Sequence, residues 1–211
     1  AEARSGLDGL PALRDAVSNA RVSAADCTAA YTDLIAAFLD LVAAAIDVTS
    51  DPAVSRRLCA FFSHLQGKEF AGQERAVGAA GFAAGVFTPA QHRRFLHLVA
   101  AQERAFAAFA AAAEPERVAD HDACLARPAR AEFARMREAA RSGGLAGRLD
   151  GIPGADWFAR ATERIDAMKA VEDRLAQDLR ALCTELLRRA WEAFHDDMGF
   201  ASWRMRRLMD R

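Results

Sequence analysis

The sequence predicts an all-α protein, built as an antiparallel bundle of about six to eight helices with a long C-terminal helix. Its composition is 52% hydrophobic, with one tyrosine and much alanine, which favours helices over strands. Apolar residues recur at three- and four-residue steps, and no stretch shows the alternation of a strand. Short Pro- and Gly-containing connections separate the helices, and short connections favour antiparallel neighbours. The 211 residues are enough for a sizeable core.

Capping residues and prolines delimit the first four helices. The stretch "LDGLPALRDAVSNA" predicts a short first helix. Ser and Asp are good N-caps, and proline is favoured at the first helical position. The predicted limits are Ser23 and about Val48 for the second helix, Asp51 and Gly85 for the third, and Thr88 and about Ala113 for the fourth.

Two shorter helices and one long helix complete the chain. "EPERVADHDACLA" predicts a short fifth helix, and "RPARAEFARMREAARSGG" a sixth that ends at a Gly-Gly pair. After the glycine-rich loop "SGGLAGRLDGIPGAD", a helix of about 40 residues, roughly 60 Å long, begins at Asp156. Trp157 is expected to hold the start of this helix against the core. We predict one helical domain over residues 1–198, followed by a tail or connection to a signalling module over 199–211.

Charge and hydropathy exclude several classes of partner. The formal net charge is -1, so we expect no nucleic-acid partner. The most apolar run, Leu34 to Ile46, is too short to span a bilayer and contains Asp40. Because the sequence also shows no initiator methionine and no signal peptide, we expect a processed or excised soluble piece, associated with a membrane only through flanking helices that lie outside it. The four cysteines lack CxxC spacing and are expected to be free thiols.

No motif for catalysis, a metal or a cofactor is recognisable. "HDAC" (His121 to Cys124) and "FHDD" (Phe194 to Asp197) resemble fragments of metal sites, but no HExxH or repeated ExxH accompanies them. A solvated loop or helix end is the expected environment of both. The sequence thus predicts a protein that is not an enzyme and holds no metal or cofactor.

Arg75 stands in an unusual stretch, "KEFAGQERAVGAAGFAAGVF" (Lys68 to Phe87). Each glycine costs a helix about 1 kcal/mol relative to alanine, so a surface of small residues indicates a close helix contact. The helical neighbours of Arg75 are alanines and glycines that cannot pair with it, and the adjacent Glu74 points elsewhere. An arginine on a closely packed face needs a partner, which is either a carboxylate from another helix or a bound anion. "QERA" recurs at Gln102 without a glycine surface, so the string alone is weak evidence.

The same stretch, continued as "KEFAGQERAVGAAGFAAGVFTPAQHRRF", resembles the nitrate- and nitrite-sensing (NIT) domain of bacterial chemoreceptors and regulators. "AAYTDLIAAFLDL" resembles the helix before this motif, and "WFARATERIDAMKAVEDRLAQDL" the segment that closes such domains in chemoreceptor-like proteins. The resemblance spans roughly residues 7 to 180.

The resemblance implies a helical bundle that binds nitrate or nitrite through converging arginines and signals to an attached output module, with a homodimer possible. The arginine of the Glu-Arg-Ala motif carries over to Arg75. For a second arginine we choose Arg137 over Arg135, because Arg135 has Glu132 and Glu138 as helical neighbours and Arg137 has no carboxylate neighbour. The family's usual first-helix Gln-x-Glu-Arg-Gly motif has no match here, so the expected arginine cluster is incomplete.

The resemblance to chemoreceptor-like proteins predicts the periplasmic part of an inner-membrane receptor, with a cytoplasmic regulator as the alternative. Two other functional classes stay open at this point. One is a helical dimerisation or protein-interaction module that has lost the anion site; an interhelical salt bridge at Arg75 without a cleft beside it would favour it. The other is an enzyme on a four-helix scaffold, which requires inward-facing carboxylates and histidines at metal-site spacing.

Overall fold

A computed structural model of the chain describes residues 2–126 and 129–209, and over these ranges it contains seven α-helices and no strand. The all-α prediction is confirmed. The helices are α1 (Glu2–Ser18), α2 (Ala24–Val48), α3 (Pro52–Ala84), α4 (Pro89–Ala112), α5 (Pro115–Leu125), α6 (Ala129–Gly143) and α7 (Gly154–Met209), with a 3-10 turn at Gly144–Ala146 between α6 and α7.

Local capping chemistry sets the ends of these helices, as the sequence predicts. The Ser23 hydroxyl and the Asp51 carboxylate accept hydrogen bonds from backbone N–H groups in the first turns of α2 and α3. Thr88 and Gln91 form a reciprocal capping box at the start of α4. At the end of α3, Gly85 has a φ of 73°, a left-handed conformation that glycine adopts without strain.

The last helix is longer than predicted. It has 56 residues and ends at Met209, whereas the sequence predicted about 40 residues followed by a tail. The stretch from His195 to Met209 contains one glycine and no proline, so nothing in it stops a helix that is already formed. The chain divides into two compact units, Ala1–Leu175 and Ala176–Arg211. The predicted domain limit at residue 198 stays a prediction.

The core of the first unit forms around Trp157, where α3, α4, α6 and α7 meet. This side chain is fully buried and stacks on Phe82 and Phe133, with ring centroids 5.2 and 5.1 Å away. Phe95 of α4 lies 5.6 Å from it. Its Nε1 donates a 3.0 Å hydrogen bond to the backbone carbonyl of Arg75, in the middle of α3. Trp157 therefore fixes the start of α7 against α3, as predicted.

The α2 helix contributes little to this core. Its segment Asp26–Val48 is long and apolar enough to cross a membrane by length and composition alone, and only 6% of its most apolar 18-residue window is buried. One such helix is weak evidence for a membrane span, because a core helix or a signal sequence has the same length and composition. The four cysteines are free and half-buried.

The small-residue surface of α3 accommodates aromatic rings. A Cβ added at Gly67, Gly78 or Gly81 would lie 2.4, 2.3 or 2.4 Å from a ring atom of Phe106, Trp157 or Phe87. The sequence predicts a close helix contact at this surface; at these three glycines, the nearest atoms belong to aromatic side chains. The rings occupy the space that side chains at these positions would fill. This packing offsets the helix propensity that α3 loses through its glycines.

Two substitutions separate the packing role of these glycines from their cost to the helix. We expect Gly78→Ala to lower the free energy of unfolding by about 1–2 kcal/mol, because overpacking against the fully buried Trp157 outweighs the gain in helix propensity. Gly72→Ala should raise it by about 0.5–1 kcal/mol, because no atom lies within 4 Å of the added Cβ. Urea unfolding of the two variants measures both changes; equal effects would contradict the packing explanation.

Candidate functional site

Arg137 of α6 forms an ion pair with Glu74 of α3. Its Nε donates to Oε1 at 2.8 Å and its Nη2 to Oε2 at 2.6 Å, so the contact is bidentate. The Glu74 side chain is 1% exposed and that of Arg137 is 21% exposed. The sequence predicts Arg137 as a site residue because it lacks a carboxylate neighbour on its own helix. Its carboxylate partner, Glu74, is 63 residues earlier in the chain and lies on a different helix.

Gln102 of α4 connects this pair to a second arginine. Its Nε2 donates to Oε2 of Glu74 at 2.6 Å. Its Oε1 accepts from Nη2 of Arg137 at 3.2 Å and from Nη1 of Arg164, on α7, at 2.8 Å. Two guanidinium groups from different helices thus converge on one buried oxygen atom. We call Arg137 and Arg164, with Oε1 of Gln102 between them, the arginine clamp.

Phe133 supports both arms of the clamp. The guanidinium carbons of Arg137 and Arg164 lie 4.9 and 5.2 Å from the centroid of its ring. At these distances the ring attracts both cations and restricts their movement. The same ring stacks on Trp157 at an interplanar angle of 24°, so the clamp rests directly on the core.

A cleft of about 760 Å³ gives access to the clamp, and both arginines line it. Its wall contains six further charged side chains: Arg141, Arg160, Glu103, Glu138, Glu163 and Asp166. Several of these neutralise one another across a helical turn, as in the 2.8 Å pairs Arg141–Glu138 and Arg160–Glu163. The lining carries charges of both signs. Glu74 and Gln102, the hydrogen-bonding partners of the clamp, are each 1% exposed and are not among the residues that line the cleft.

Arg75 lies elsewhere. Its Nη1 donates to the Thr162 hydroxyl at 2.9 Å, and its guanidinium carbon lies 4.7 Å from the Phe158 ring centroid. It does not line the cleft, so the structure does not bring it together with Arg137. Over residues 2–126 and 129–209 no carboxylate forms a salt bridge with Arg75; a hydroxyl and an aromatic ring of α7 occupy the place of the expected partner.

Sequence reasoning missed Arg164 and Gln102. A signal for Arg164 exists, because the criterion that selected Arg137 also selects it: none of its neighbours three or four residues away is a carboxylate, and these are Arg160, Ala161, Ala167 and Met168. Gln102 opens the second "QERA" string. The carboxylate of the first string and the amide of the second meet in the buried hydrogen bond between Glu74 and Gln102.

A second buried polar cluster consists of His64 and His121, whose ring centroids are 5.6 Å apart. The expectation that the "HDAC" histidine is solvated is wrong, because α5 packs His121 against Phe106 and Phe109. The Nε2 of His64 lies 3.0 Å from the carbonyl oxygen of Met168, which sets it as the donor. Burial lowers the pKa of both histidines, that of His64 to about 4. Among the described residues, no group of three or more His, Cys, Asp or Glu side chains is arranged to hold a metal ion.

Comparisons with known proteins place this chain in a class of sensor domains. A family model described as nitrate and nitrite sensing (NIT) matches residues 1–180, and the chain belongs to this family. It is 32% identical over 182 residues to the nitrate regulatory protein of Klebsiella oxytoca, covering 86% of this chain and 45% of that protein. Among solved structures it is similar to the NasR transcription antiterminator, with a TM-score of 0.77, 31% identity, and coverage of 88% of this chain and 50% of that one. The chain thus spans about half the length of these relatives.

These relatives overturn the predicted location. A transcription antiterminator acts on transcription, which takes place in the bacterial cytoplasm, so a periplasmic receptor domain is not the appropriate model. The chemoreceptor assignment is unsupported for the same reason. The prediction rested on the segment "WFARATERIDAMKAVEDRLAQDL", whose pattern is that of a long amphipathic helix. Such a helix connects domains in cytoplasmic and membrane proteins alike, so its sequence does not discriminate between them.

Proposed function

We propose that this domain binds nitrate or nitrite at the arginine clamp and passes a conformational signal to the output module of a cytoplasmic regulator. The observation that carries the proposal is the convergence of Arg137 and Arg164 on Oε1 of Gln102. That oxygen occupies the position that an oxygen of a small planar anion would take. Guanidinium groups suit such an anion because their planar fork donates parallel hydrogen bonds, which lysine cannot do.

The position of the clamp between helices also allows ligand binding to change their packing. The clamp and its carboxylate partner come from four helices: Glu74 from α3, Gln102 from α4, Arg137 from α6 and Arg164 from α7. An anion that replaces the Gln102 oxygen changes the contacts between these helices. A ligand shifts a conformational equilibrium only by its difference in affinity for the two states, and this exchange of contacts supplies such a difference.

Calorimetric titration with sodium nitrate tests the proposal, with sodium chloride at equal ionic strength as the reference. We expect saturable heat from the wild type and affinity lowered about 10- to 100-fold in Arg137→Lys and Arg164→Lys, because lysine keeps the charge but loses the fork. Arg104→Lys is the matched control, since Arg104 is exposed on α4 outside the clamp. A folded wild type without saturable heat, or unchanged affinity in both clamp variants, would refute the proposal. Arg75→Lys, measured alongside, tests the sequence prediction for Arg75.

One observation favours the alternative, a helical dimerisation module. Leu187, Trp191 and Phe194 of α7 are 72%, 64% and 57% exposed at steps of four and three residues, which is the spacing of a coiled-coil seam. The molecular mass in solution, measured by sedimentation on the samples used for titration, distinguishes the outcomes. A dimer that gives no nitrate heat supports the interaction module alone.

A further inference from the structure

We propose that Gln102 is a neutral mimic of the ligand that occupies the arginine clamp until an anion displaces its amide oxygen, and that it thereby sets the affinity of the site. The inference rests on the proposed function, because it concerns the same clamp. The carboxamide of glutamine is planar, like nitrate and nitrite, and its carbonyl oxygen has two lone pairs that accept hydrogen bonds. Gln102 thus presents the shape of such an anion to the two guanidinium groups without its charge.

The hydrogen bonds of Gln102 fix which end of its amide faces the clamp. Its Nε2 donates to Oε2 of Glu74 at 2.6 Å and to the backbone carbonyl of Leu98 at 3.3 Å. Guanidinium groups only donate hydrogen bonds and ionised carboxylates only accept them. The reversed amide would therefore set donors against donors at the clamp and an acceptor against the acceptor at Glu74. This carboxylate thus holds the carbonyl oxygen of Gln102 between the two arginines.

A monovalent anion can displace this oxygen because it carries a charge that the amide lacks. The guanidinium groups of Arg137 and Arg164 outnumber the Glu74 carboxylate, so the cluster can accommodate one added negative charge. A guanidinium group attracts an anion more strongly than an amide dipole, because both partners are then charged. The last torsion of a glutamine side chain has broad energy wells, so Oε1 can turn out of the clamp at little conformational cost.

Occupation of the clamp by Gln102 has two opposite effects. Its oxygen accepts from Arg137 at 3.2 Å and from Arg164 at 2.8 Å, and so holds together two like charges that otherwise repel each other. The same contacts lower the affinity for the anion, because only molecules in which Oε1 has left the clamp are competent to bind, and the apparent affinity falls with that fraction. Gln102 therefore keeps the arginines in position while it raises the anion concentration needed to fill the site.

Calorimetric titration of Gln102→Ala with sodium nitrate tests the inference. We expect its affinity for nitrate to exceed that of the wild type at least about tenfold, because the competing oxygen is gone and its space is open to a planar anion. Gln73→Ala is the matched control. Gln73 is a second buried glutamine that donates to Glu69 at 2.8 Å and accepts from Arg94, and it does not line the cleft. The nitrate affinity of this control should equal that of the wild type.

The double variant Glu74→Gln with Gln102→Glu tests the role of charge at the same position. It moves the carboxylate from α3 to α4 and keeps a complementary hydrogen bond between the two side chains, now with residue 74 as the donor. We expect nitrate to bind at least about a hundredfold more weakly than in the wild type, because a carboxylate between two guanidinium groups is a charged competitor. Urea unfolding of each variant establishes that it is folded.

The outcomes separate this inference from the proposed function. Saturable nitrate binding by the wild type, with equal or weaker binding by a folded Gln102→Ala, overturns the inference alone, since it would show that the amide does not compete with the ligand. Unchanged affinity in the folded double variant also overturns it alone. Binding by Gln102→Ala but not by the wild type would refute the proposed function and leave the competing role of the amide standing. Absence of binding by both proteins overturns the inference and the proposed function together.

Discussion

Replacement of Arg137 by methionine is expected to lower the free energy of unfolding by about 3–5 kcal/mol, because it leaves the Glu74 carboxylate buried without its ion-pair partner. Replacement of the other partner, Glu74→Gln, should lower the free energy of unfolding by only about 1–2 kcal/mol. The asymmetry follows from exposure: Arg137 is 21% exposed and can be hydrated when it loses its partner, whereas Glu74 is 1% exposed and cannot.

Urea unfolding of the two single variants and of the double variant, without nitrate, measures this asymmetry. The double variant should be more stable than the sum of the single changes implies, because it carries no unpaired buried charge. Arg141→Met provides a control, since its ion pair with Glu138 is exposed and is worth at most about 1 kcal/mol. Equal losses for Arg137→Met and Glu74→Gln would show that the pair is not desolvated as the structure indicates.

Acidification is expected to cost the protein about 3 kcal/mol through His64. Burial lowers the pKa of this histidine from 6.5 to about 4 in the folded state. Between these values the unfolded state binds more protons than the folded state. The contribution of His64 is therefore present above about pH 6.5 and is lost as the pH falls towards 4.

Free energies of unfolding measured from about pH 7 to about pH 4.5 test this expectation. The wild type should lose stability more steeply than His64→Phe, which places an aromatic ring in the same cluster but cannot bind a proton. His97→Gln is the control, because His97 is exposed on α4. Parallel profiles for the wild type and His64→Phe would show that another group dominates in this range.

The helices could be predicted because their limits are local. A cap such as Ser23 or Thr88 acts on backbone groups two or three residues away, and its effect is visible in the adjacent sequence. The end of α7 differs from the prediction for a related reason: weak periodicity predicts the end of the helix, although no residue in the stretch breaks one. Periodicity reports which face is buried, whereas helix formation requires only the absence of breakers.

The candidate site could be predicted only in part. The absence of a local partner identified Arg137 as unusual, but its partner lies on another helix, and helix rotation decides which side chains meet. The same reasoning gave Arg75 two alternatives, a carboxylate or an anion. The structure shows a third environment, a hydroxyl and an aromatic ring of α7, which helical spacing cannot reveal.

The contacts of α7 with α3 have a consequence for the order of folding. They join residues far apart in the chain: 82 positions separate Trp157 from Arg75, and 104 separate His64 from Met168. The α3–α4 hairpin closes over a short connection. Docking of α7 on α3 requires closure of a long loop, which has a larger entropic cost. Arg164 therefore reaches the site in a late step of folding. A chain emerging from a ribosome would contain the buried carboxylate of α3 well before it contained both of the arginines that surround it.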